Sequence, residues 1–599
     1  MEPLVEISGL SKSFGKHLPL ALDHITAQIP KGSIVGLAGP DGAGKTTLIR
    51  LIGGLLLPTA GSISVAGYDT VKAAESIHAI SGYMPQKFGL YEDLTVQQNL
   101  NLYADLTGVV GAERRERFAK LLDFTSLEPF KDRLGKNLSG GMKQKLGLAC
   151  ALIRKPELLL LDEPSVGVDP LSRRELWKIM EDLLREDITI LWSTAYLDEA
   201  ERCNFVLLLN AGQLLYHGTP QAMTERVKSR VFKITHITDI RRQVLTQTLQ
   251  NPHVIDAVIE GADVRVVFKS LEDPALGFSA LNLEKGQSLE PALPRFEDAF
   301  VDILGGGPGG RSLLAESTPV IEAQKRPVIE AKALTKKFGS FTAAHQITLS
   351  VKSGEVFGLL GPNGAGKSTT FKLLCGLLTP TSGQAFVNGL DLQVASGLAR
   401  SHIGYMAQKF SLYGNLSVQQ NLDFFSGIYN LTGKKRSQAI GLMVEIFNLG
   451  PYLNTSADAL PLGFKQRLAL SCSVMHHPPI LFLDEPTAGV DPITRREFWT
   501  HINGLVNKGT TVMVTTHFMD EAEFCDRIGL VYQSNLIEIG TPDELKAQAK
   551  SAALPSPTLE DAFIYLIQRY GSKGPAQNAS ERGSAAPKSG LHSGEEVVK

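Results

Sequence analysis

The sequence predicts an α/β protein built from two copies of one nucleotide-binding domain in tandem, and three observations carry that prediction. Its 599 residues exceed what a single hydrophobic core usually supports. GPDGAGKTT at 39–47 returns as GPNGAGKST at 361–369, and LLLLDEPSVGVDP at 158–170 returns as ILFLDEPTAGVDP at 480–492, both displaced by 322 residues. Each glycine-rich stretch follows a short apolar run, IVGLAG (34–39) or VFGLLG (356–361), and precedes a helix-forming run.

The same displacement joins GYMPQKFGLY (82–91) to GYMAQKFSLY (404–413) and LYHGTP (215–220) to IEIGTP (537–542), so about 180 residues align without a net insertion. It changes at two places. SKSFG (11–15) matches TKKFG (335–339) at an offset of 324, and FEDAF (296–300) matches LEDAF (559–563) at only 263, leaving the first copy with 59 residues the second lacks. Those residues alternate as strand (230–236), amphipathic helix (239–250), strand (253–261) and strand (264–270). The expected organisation is a first domain at 1–225, an appended α+β subdomain at 226–304, a flexible glycine-rich linker at 305–326, a second domain at 327–570 and a disordered polar tail at 571–599.

Composition sets outer bounds. With 43% hydrophobic and 20% charged residues and a net charge of -2, nothing global points to nucleic acid, and no nucleic-acid partner is expected. The start, MEPLVEISGLSKSFGK, lacks a basic stretch followed by an apolar one, and runs such as LLLL (158–161) fall far short of the roughly 20 residues a spanning helix needs. A soluble protein with at most a peripheral membrane role is expected. Cysteines 150, 203, 375, 472 and 525 form no CxxC pair, which suits buried thiols in a reducing compartment.

GxxxxGK[ST] between strand and helix is a phosphate-binding loop. The backbone of Gly39, Pro40, Asp41, Gly42, Ala43, Gly44, Lys45, Thr46 and Thr47 lies where a loop could wrap phosphates, through N–H groups at every position but Pro40, which contributes shape only. Gly361, Pro362, Asn363, Gly364, Ala365, Gly366, Lys367, Ser368 and Thr369 repeat the arrangement. Lys45 and Lys367 are expected to reach the terminal phosphates, and Thr46 and Ser368 to ligate Mg2+. Asp162-Glu163 and Asp484-Glu485 end apolar strands, as suits a magnesium-organising aspartate followed by a glutamate that polarises an attacking water.

LSGGMKQK at 138–145, followed within 20 residues by LLLLDEP, resembles the signature of the ATP-binding-cassette (ABC) family, and the resemblance covers nearly all of both copies. It implies two P-loop NTPase domains of the ABC type, each with a helical subdomain, that clamp two ATP molecules head to tail. It also implies roles for Gln86 and Gln408 at magnesium, for Asp169 and Asp491 after the catalytic glutamates, and for His517 as the switch histidine. Phe14 and Phe338 stand where the family stacks an aromatic on adenine, with core packing as the competing reading. Ser139 would cap a helix whose exposed N–H groups, beside Gly140 and Gly141, face the γ-phosphate held by the opposite domain.

The copies differ where this chemistry is sharpest. LPLGFKQR (460–467) replaces the signature in the second copy, with Pro461 for Ser139 and Leu462 for Gly140, while Ala195 replaces His517 in the first. Head-to-tail pairing puts both losses, together with Asp41 in place of Asn363, in one composite site. The complementary site combines Lys367, Ser368, Gln408, Glu485 and His517 with Ser139, Gly140 and Gly141. Hydrolysis is expected there, with Glu163 serving a weaker site.

The loops QKFGLYEDLTVQQNL (86–100) and QKFSLYGNLSVQQNL (408–422), the YLDEAE and FMDEAE endings and the EDAF motifs are similar to ATPase subunits of drug exporters. That resemblance implies a pair of integral-membrane permease subunits, identical or different, a location at the cytoplasmic side of the inner membrane, and ATP with Mg2+ and no other metal. Two alternatives stay open at this point: a ribosome-associated tandem-cassette translation factor, and the fused ATPase of a sugar importer.

Overall fold

The computed structural model describes residues 2–15, 19–86, 89–237, 241–269, 281, 283–284, 286–408, 412–516, 518–552 and 554–582. Both copies fold around a six-stranded sheet of one order. In the first it runs Gln213–Gly218, Phe205–Asn210, Ile34–Ala38, Thr189–Thr194, Leu158–Asp162, Ser81–Met84. In the second it runs Asn535–Gly540, Arg527–Tyr532, Val356–Leu360, Thr511–Thr516, Ile480–Asp484, Ile403–Met406. Neighbours pair in parallel except at the Gln213–Gly218 and Asn535–Gly540 edges. Every residue of Ile34–Ala38, Leu158–Asp162, Val356–Leu360 and Ile480–Asp484 is buried, which explains continuous apolar runs rather than alternation. A four-stranded antiparallel sheet, led by Pro3–Lys12 and Leu22–Pro30 in one copy and by Ile329–Phe338 and Phe341–Val351 in the other, covers the P-loop side.

The helical subdomains start at matched signals. Thr95 caps Val96–Thr107 by accepting the Gln98 N–H while Gln98 Oε1 accepts the Thr95 N–H, and Ser417 and Gln420 repeat this capping box before Val418–Ile428. All five cysteines are buried free thiols. Among the described residues no helix is long and apolar enough to cross a membrane.

The appended subdomain is an antiparallel sheet ordered Val254–Glu260, Asp263–Phe268, Val231–Thr235, Ser288–Pro291, with helix Arg241–Gln250 packed on it. Its fourth strand, SLEP, is too short and polar to register as one in the sequence. The subdomain belongs to the first half of the chain yet leans on the second. Arg241 and Arg242 both pair with Asp526, at 3.1 and 2.7 Å, Asp543 accepts the Ala262 N–H at 2.7 Å, and Phe524 packs against its core.

Two expectations about loose segments require correction. The stretch 305–326, read as a flexible linker, docks: Leu313–Ser317 is helical, Leu314 is fully buried in the second domain's core, and Ser312 Oγ lies 3.0 Å from His501 Nδ1. Positive φ at Gly305, Gly306 and Gly309 turns the chain, after which SLLAE supplies a capped turn with an apolar face. The polar tail read as disordered from 571 is helical to Arg582 as the end of Leu559–Arg582, and residues 583–599 lie outside the described residues.

Candidate functional site

Each P-loop ends on a glycine in the left-handed region, Gly44 at φ 103° and Gly366 at φ 102°, immediately before helices Lys45–Ile52 and Lys367–Leu374. A Cβ at Gly44 would stand 2.5 Å from the Ala21 carbonyl, just before strand Leu22–Pro30, and one at Gly366 2.2 Å from the Ala343 carbonyl in strand Phe341–Val351, so glycine is needed for space as well as for torsion. Gly39 and Gly361 are equally confined, each hypothetical Cβ lying 2.2 Å from a carbonyl oxygen of the neighbouring strand. The lysines fold back over their own loops: Lys45 Nζ donates to the Gly39 and Pro40 carbonyls at 2.8 and 3.1 Å, and Lys367 Nζ to Gly361 and Pro362 at 2.6 and 3.0 Å. Both ammonium groups therefore stand inside the loop whose N–H groups could receive phosphate. Burial lowers the Lys367 pKa, opposed by Glu485, by Asp169 of the first copy and by Asp484. Ala43, Ala365, Gly42, Gly364, Thr47 and Thr369 complete the two loops.

Carboxylates and hydroxyls converge beside each lysine. Thr46 Oγ1 donates to Asp162 Oδ1 at 3.1 Å and Ser193 Oγ to the same oxygen at 2.9 Å; in the second copy Ser368 Oγ lies 3.4 Å and Thr515 Oγ1 2.5 Å from Asp484 Oδ1. Burial raises the pKa of both aspartates. Asp162 Oδ2 is buried with no hydrogen-bond partner among the described residues, an oxygen left over in a polar corner. Gln86 Nε2 donates to Glu163 Oε2 at 2.6 Å, and Gln408 Nε2 to Glu485 Oε2 at 2.7 Å. Glu163 and Glu485 occupy left-handed backbone at φ 52° and 51°. Non-glycine residues there carry strain of about 1–3 kcal/mol, and here the strained residue is the carboxylate that the neighbouring glutamine side chain holds.

The two copies meet at these sites. Asn363 Nδ2, in the second P-loop, donates at 2.9 Å to the carbonyl of Gly167, which follows the first copy's Glu163. That carbonyl also lies 3.4 Å from where a Cβ on Gly140 would stand, so the first signature and the second P-loop share one neighbour. Leu171 packs against the second core and its counterpart Ile493 against the first. Asp169 acts on Lys367, and Asp491 on Asp41, in the reciprocal pattern of a head-to-tail pair.

The copies part where the sequence says they do. Ser139 Oγ accepts the Met142 N–H at 3.3 Å at the head of Gly140–Ala151, whereas Pro461 heads Leu462–Val474 with no side-chain cap. A Cβ on Gly141 would meet Ser172 Oγ at 2.8 Å. Leu462 rests on Gly489, the counterpart of Gly167, its Cδ2 only 2.9 Å from a hypothetical Cβ there. Among the described residues Asp41 makes no bond like that of Asn363; burial pushes its pKa up to about 6, with Lys45 opposing and Glu163 and Asp491 adding to the rise. Ala195 is buried, and His517 lies outside the described residues. Phe14 and Phe338 are 58% and 51% exposed, each with a lysine, Lys12 or Lys336, 5.2 Å from the ring centroid. That exposure removes the core-packing reading for both.

One reciprocal contact escaped the sequence reading. Arg174 Nε and Nη2 bind Glu560 at 2.6 Å and Asp561 at 2.9 Å, while Arg496 binds Glu297 at 3.0 Å and Asp256 at 2.8 Å. Arg174 and Arg496 are equivalent in the repeat, as are Glu297 and Glu560 of the EDAF motifs, so each domain's arginine is held by the other's late motif. The signal was present as two repeated pairs with different offsets, but nothing in one dimension joins them. Between the two clasps lies a chamber of about 890 Å3 with Arg173 and Arg495 in its lining.

Fold and site define a pair of P-loop nucleotide-binding cassettes meeting head to tail within one chain. A family model described as ABC transporter matches residues 22–166 and 344–488. The probable multidrug ABC transporter ATP-binding protein YbhF of Escherichia coli K12 is 56% identical over 575 residues, covering 95% of this chain and 98% of that protein. The chain belongs to the ABC transporter family and is an ATP-binding, ATP-hydrolysing member of it. The daunorubicin/doxorubicin resistance ATP-binding protein DrrA of Streptomyces peucetius is 32% identical over 46% of this chain and 83% of its own length. A solved ATP-binding subunit of an ABC transporter aligns with 40% of this chain and 99% of that one at 26% identity and a TM-score of 0.37.

Proposed function

We propose that this chain is the ATPase subunit of a multidrug-efflux-type exporter. It drives a pair of separate integral-membrane permease subunits, identical or different, from the cytoplasmic side of the inner membrane. The match to YbhF along almost the whole length of both chains supports the exporter reading over a translation factor or a sugar importer. Within the pair, hydrolysis belongs to the site formed by Lys367, Ser368, Gln408, Glu485 and His517 with Ser139, Gly140 and Gly141 of the first cassette, and the other site chiefly holds nucleotide. The observation that carries this division is the Asn363–Gly167 bond beside Gly140, which has no counterpart at Asp41.

Glu485, held by Gln408, would take a proton from the attacking water, while Lys367 and the N-terminus of the Ser139-capped helix meet developing phosphate charge from opposite sides. The hydroxyl, carboxylate and amide oxygens of Ser368, Asp484 and Gln408, and of Thr46, Asp162 and Gln86, are the hard donors Mg2+ takes, and the unpartnered Asp162 Oδ2 fits such a ligand set. Bound there, the ion would neutralise phosphate charge. Phe338 and Phe14 are the candidate adenine platforms. Loss of one donor to a transition state costs about 10²–10³ in rate, so a capless signature facing a cassette with Ala195 makes a slow site. The test is turnover of the complex reconstituted with its permease: Glu485→Gln abolishes it and Glu163→Gln leaves most of it. Equal losses would refute the division.

A further inference from the structure

Tyr196 and Phe518 each follow the switch position of their cassette, occupied by Ala195 and His517, and they meet across the boundary between the halves. Their ring centroids lie 5.2 Å apart with planes tilted by 49°. Both residues are buried, Tyr196 at 3% exposure and Phe518 at 6%. Their backbones are pinned alike: Thr194 Oγ1 accepts the Tyr196 N–H and Thr516 Oγ1 the Phe518 N–H, each at 2.9 Å. Each threonine in turn donates to a fully buried glutamate, Glu199 at 2.6 Å and Glu521 at 2.7 Å. Glu199 also takes Ser165 Oγ at 2.8 Å, which ties Tyr196 to the loop that carries Gly167 to Asn363. Phe518 is further gripped by the Arg495 guanidinium, 5.1 Å from its ring centroid.

We propose that Tyr196 is a positioning residue for hydrolysis in the second cassette, acting through Phe518 on the end of strand Thr511–Thr516, where Thr515 Oγ1 donates to Asp484 Oδ1 at 2.5 Å and accepts the Glu485 N–H at 3.0 Å. The first cassette thus buttresses the strand end that holds the second cassette's Asp484 and Glu485. This rests on the assignment of turnover to the second P-loop. The contact is aromatic and apolar: the Tyr196 hydroxyl is buried without a hydrogen-bond partner among the described residues, so the ring is the working part. Position matters steeply at such a site, where a displacement of about 1 Å can cost about 10² in rate.

The experiment measures ATP turnover of the permease-bound complex for Tyr196→Ala, Tyr196→Phe, Phe518→Ala and the Tyr196→Ala/Phe518→Ala pair, with Glu485→Gln alongside. Tyr196→Ala is expected to lower kcat about tenfold with KM for ATP changed less than twofold. Tyr196→Phe restores the parent kcat, and the double variant falls no further than either single one, because both remove one contact. Tyr196→Leu, which keeps the volume without the ring, guards against a misfolded alanine variant and shows the same fall in kcat at an unchanged thermal midpoint. The proposal is overturned if Tyr196→Leu keeps full kcat, if Tyr196→Phe fails to rescue, or if the single losses multiply. Loss of turnover in Glu485→Gln with full kcat in Tyr196→Leu overturns this inference alone, whereas turnover that survives Glu485→Gln overturns the site assignment and this inference with it.

Discussion

Moving the degenerate signature into the first cassette offers a direct measure of what the signature does. In Ser139→Pro/Gly140→Leu the proline removes the hydroxyl that accepts the Met142 N–H at 3.3 Å and leaves that helix uncapped, as Pro461 leaves its own. Loss of a cap alone costs about 1 kcal/mol. A Cβ at position 140 would stand 3.4 Å from the Gly167 carbonyl, and the rest of a leucine must find room beside the Asn363 amide that donates to the same oxygen. Losing that bond costs about 0.5–1.5 kcal/mol. The larger effect is on catalysis: leucine bulk stands between the helix N-terminus and the opposite P-loop, so phosphate loses its donors, at a cost of about 10²–10³ in kcat. Steady-state phosphate release from the permease-bound complex reads this, with thermal unfolding as the check that the fold survives. The mirror change, Pro461→Ser/Leu462→Gly, restores a signature to the site that still carries Ala195 and raises turnover by no more than about twofold. A tenfold gain there, or a loss of less than tenfold in the first variant, would refute the argument that the two sites work unequally for the reasons given.

Two further outcomes concern charge. Arg496 is buried between Asp256 and Glu297, and Arg496→Met, which strands them, is expected to cost about 3–5 kcal/mol in thermal unfolding; Arg174→Met, at a more exposed clasp, costs about 1 kcal/mol or less. Burial raises the Asp256 pKa to about 7 even with Arg496 present, so its contribution to stability is full below the usual carboxylate pKa and is lost as pH rises toward 7; the Arg496→Met deficit is therefore larger at pH 8 than at pH 5, and an equal deficit would exclude Asp256 as its source. By the same sign, the raised Asp41 pKa of about 6 makes the wild type lose thermal midpoint relative to Asp41→Asn as pH climbs from 5 to 7.5, as the carboxylate ionises near Glu163 and Asp491. Parallel curves for the two proteins would rule this out.

The phosphate loops, acidic strand ends and signature could be read from the chain because each is local: glycine torsion, helix capping and strand burial act over a few residues. The strain at Glu163 and Glu485 was hidden, since nothing in DEP states a φ of 52° or 51°. The clasps were hidden for another reason. Arg174 and Glu560 are ordinary charged residues until tertiary folding sets them 2.6 Å apart across 386 positions. The docked segment at Leu314 was misread because a glycine-rich run opens it at 305–310, and that run drew attention from the one capped turn that packs.

The appended subdomain leaning on the opposite cassette, with Arg241 and Arg242 on Asp526, bears on how two cassettes of unequal sequence are inherited together. Were the halves separate polypeptides, chance pairing would yield assemblies of two first halves, lacking a switch histidine, and of two second halves, lacking a signature. On the division of labour proposed above, neither would contain the complete hydrolytic site. A single reading frame whose halves grip each other favours first-with-second pairing over those miscarried assemblies, and with mispairing reduced, selection has less need to maintain every part twice.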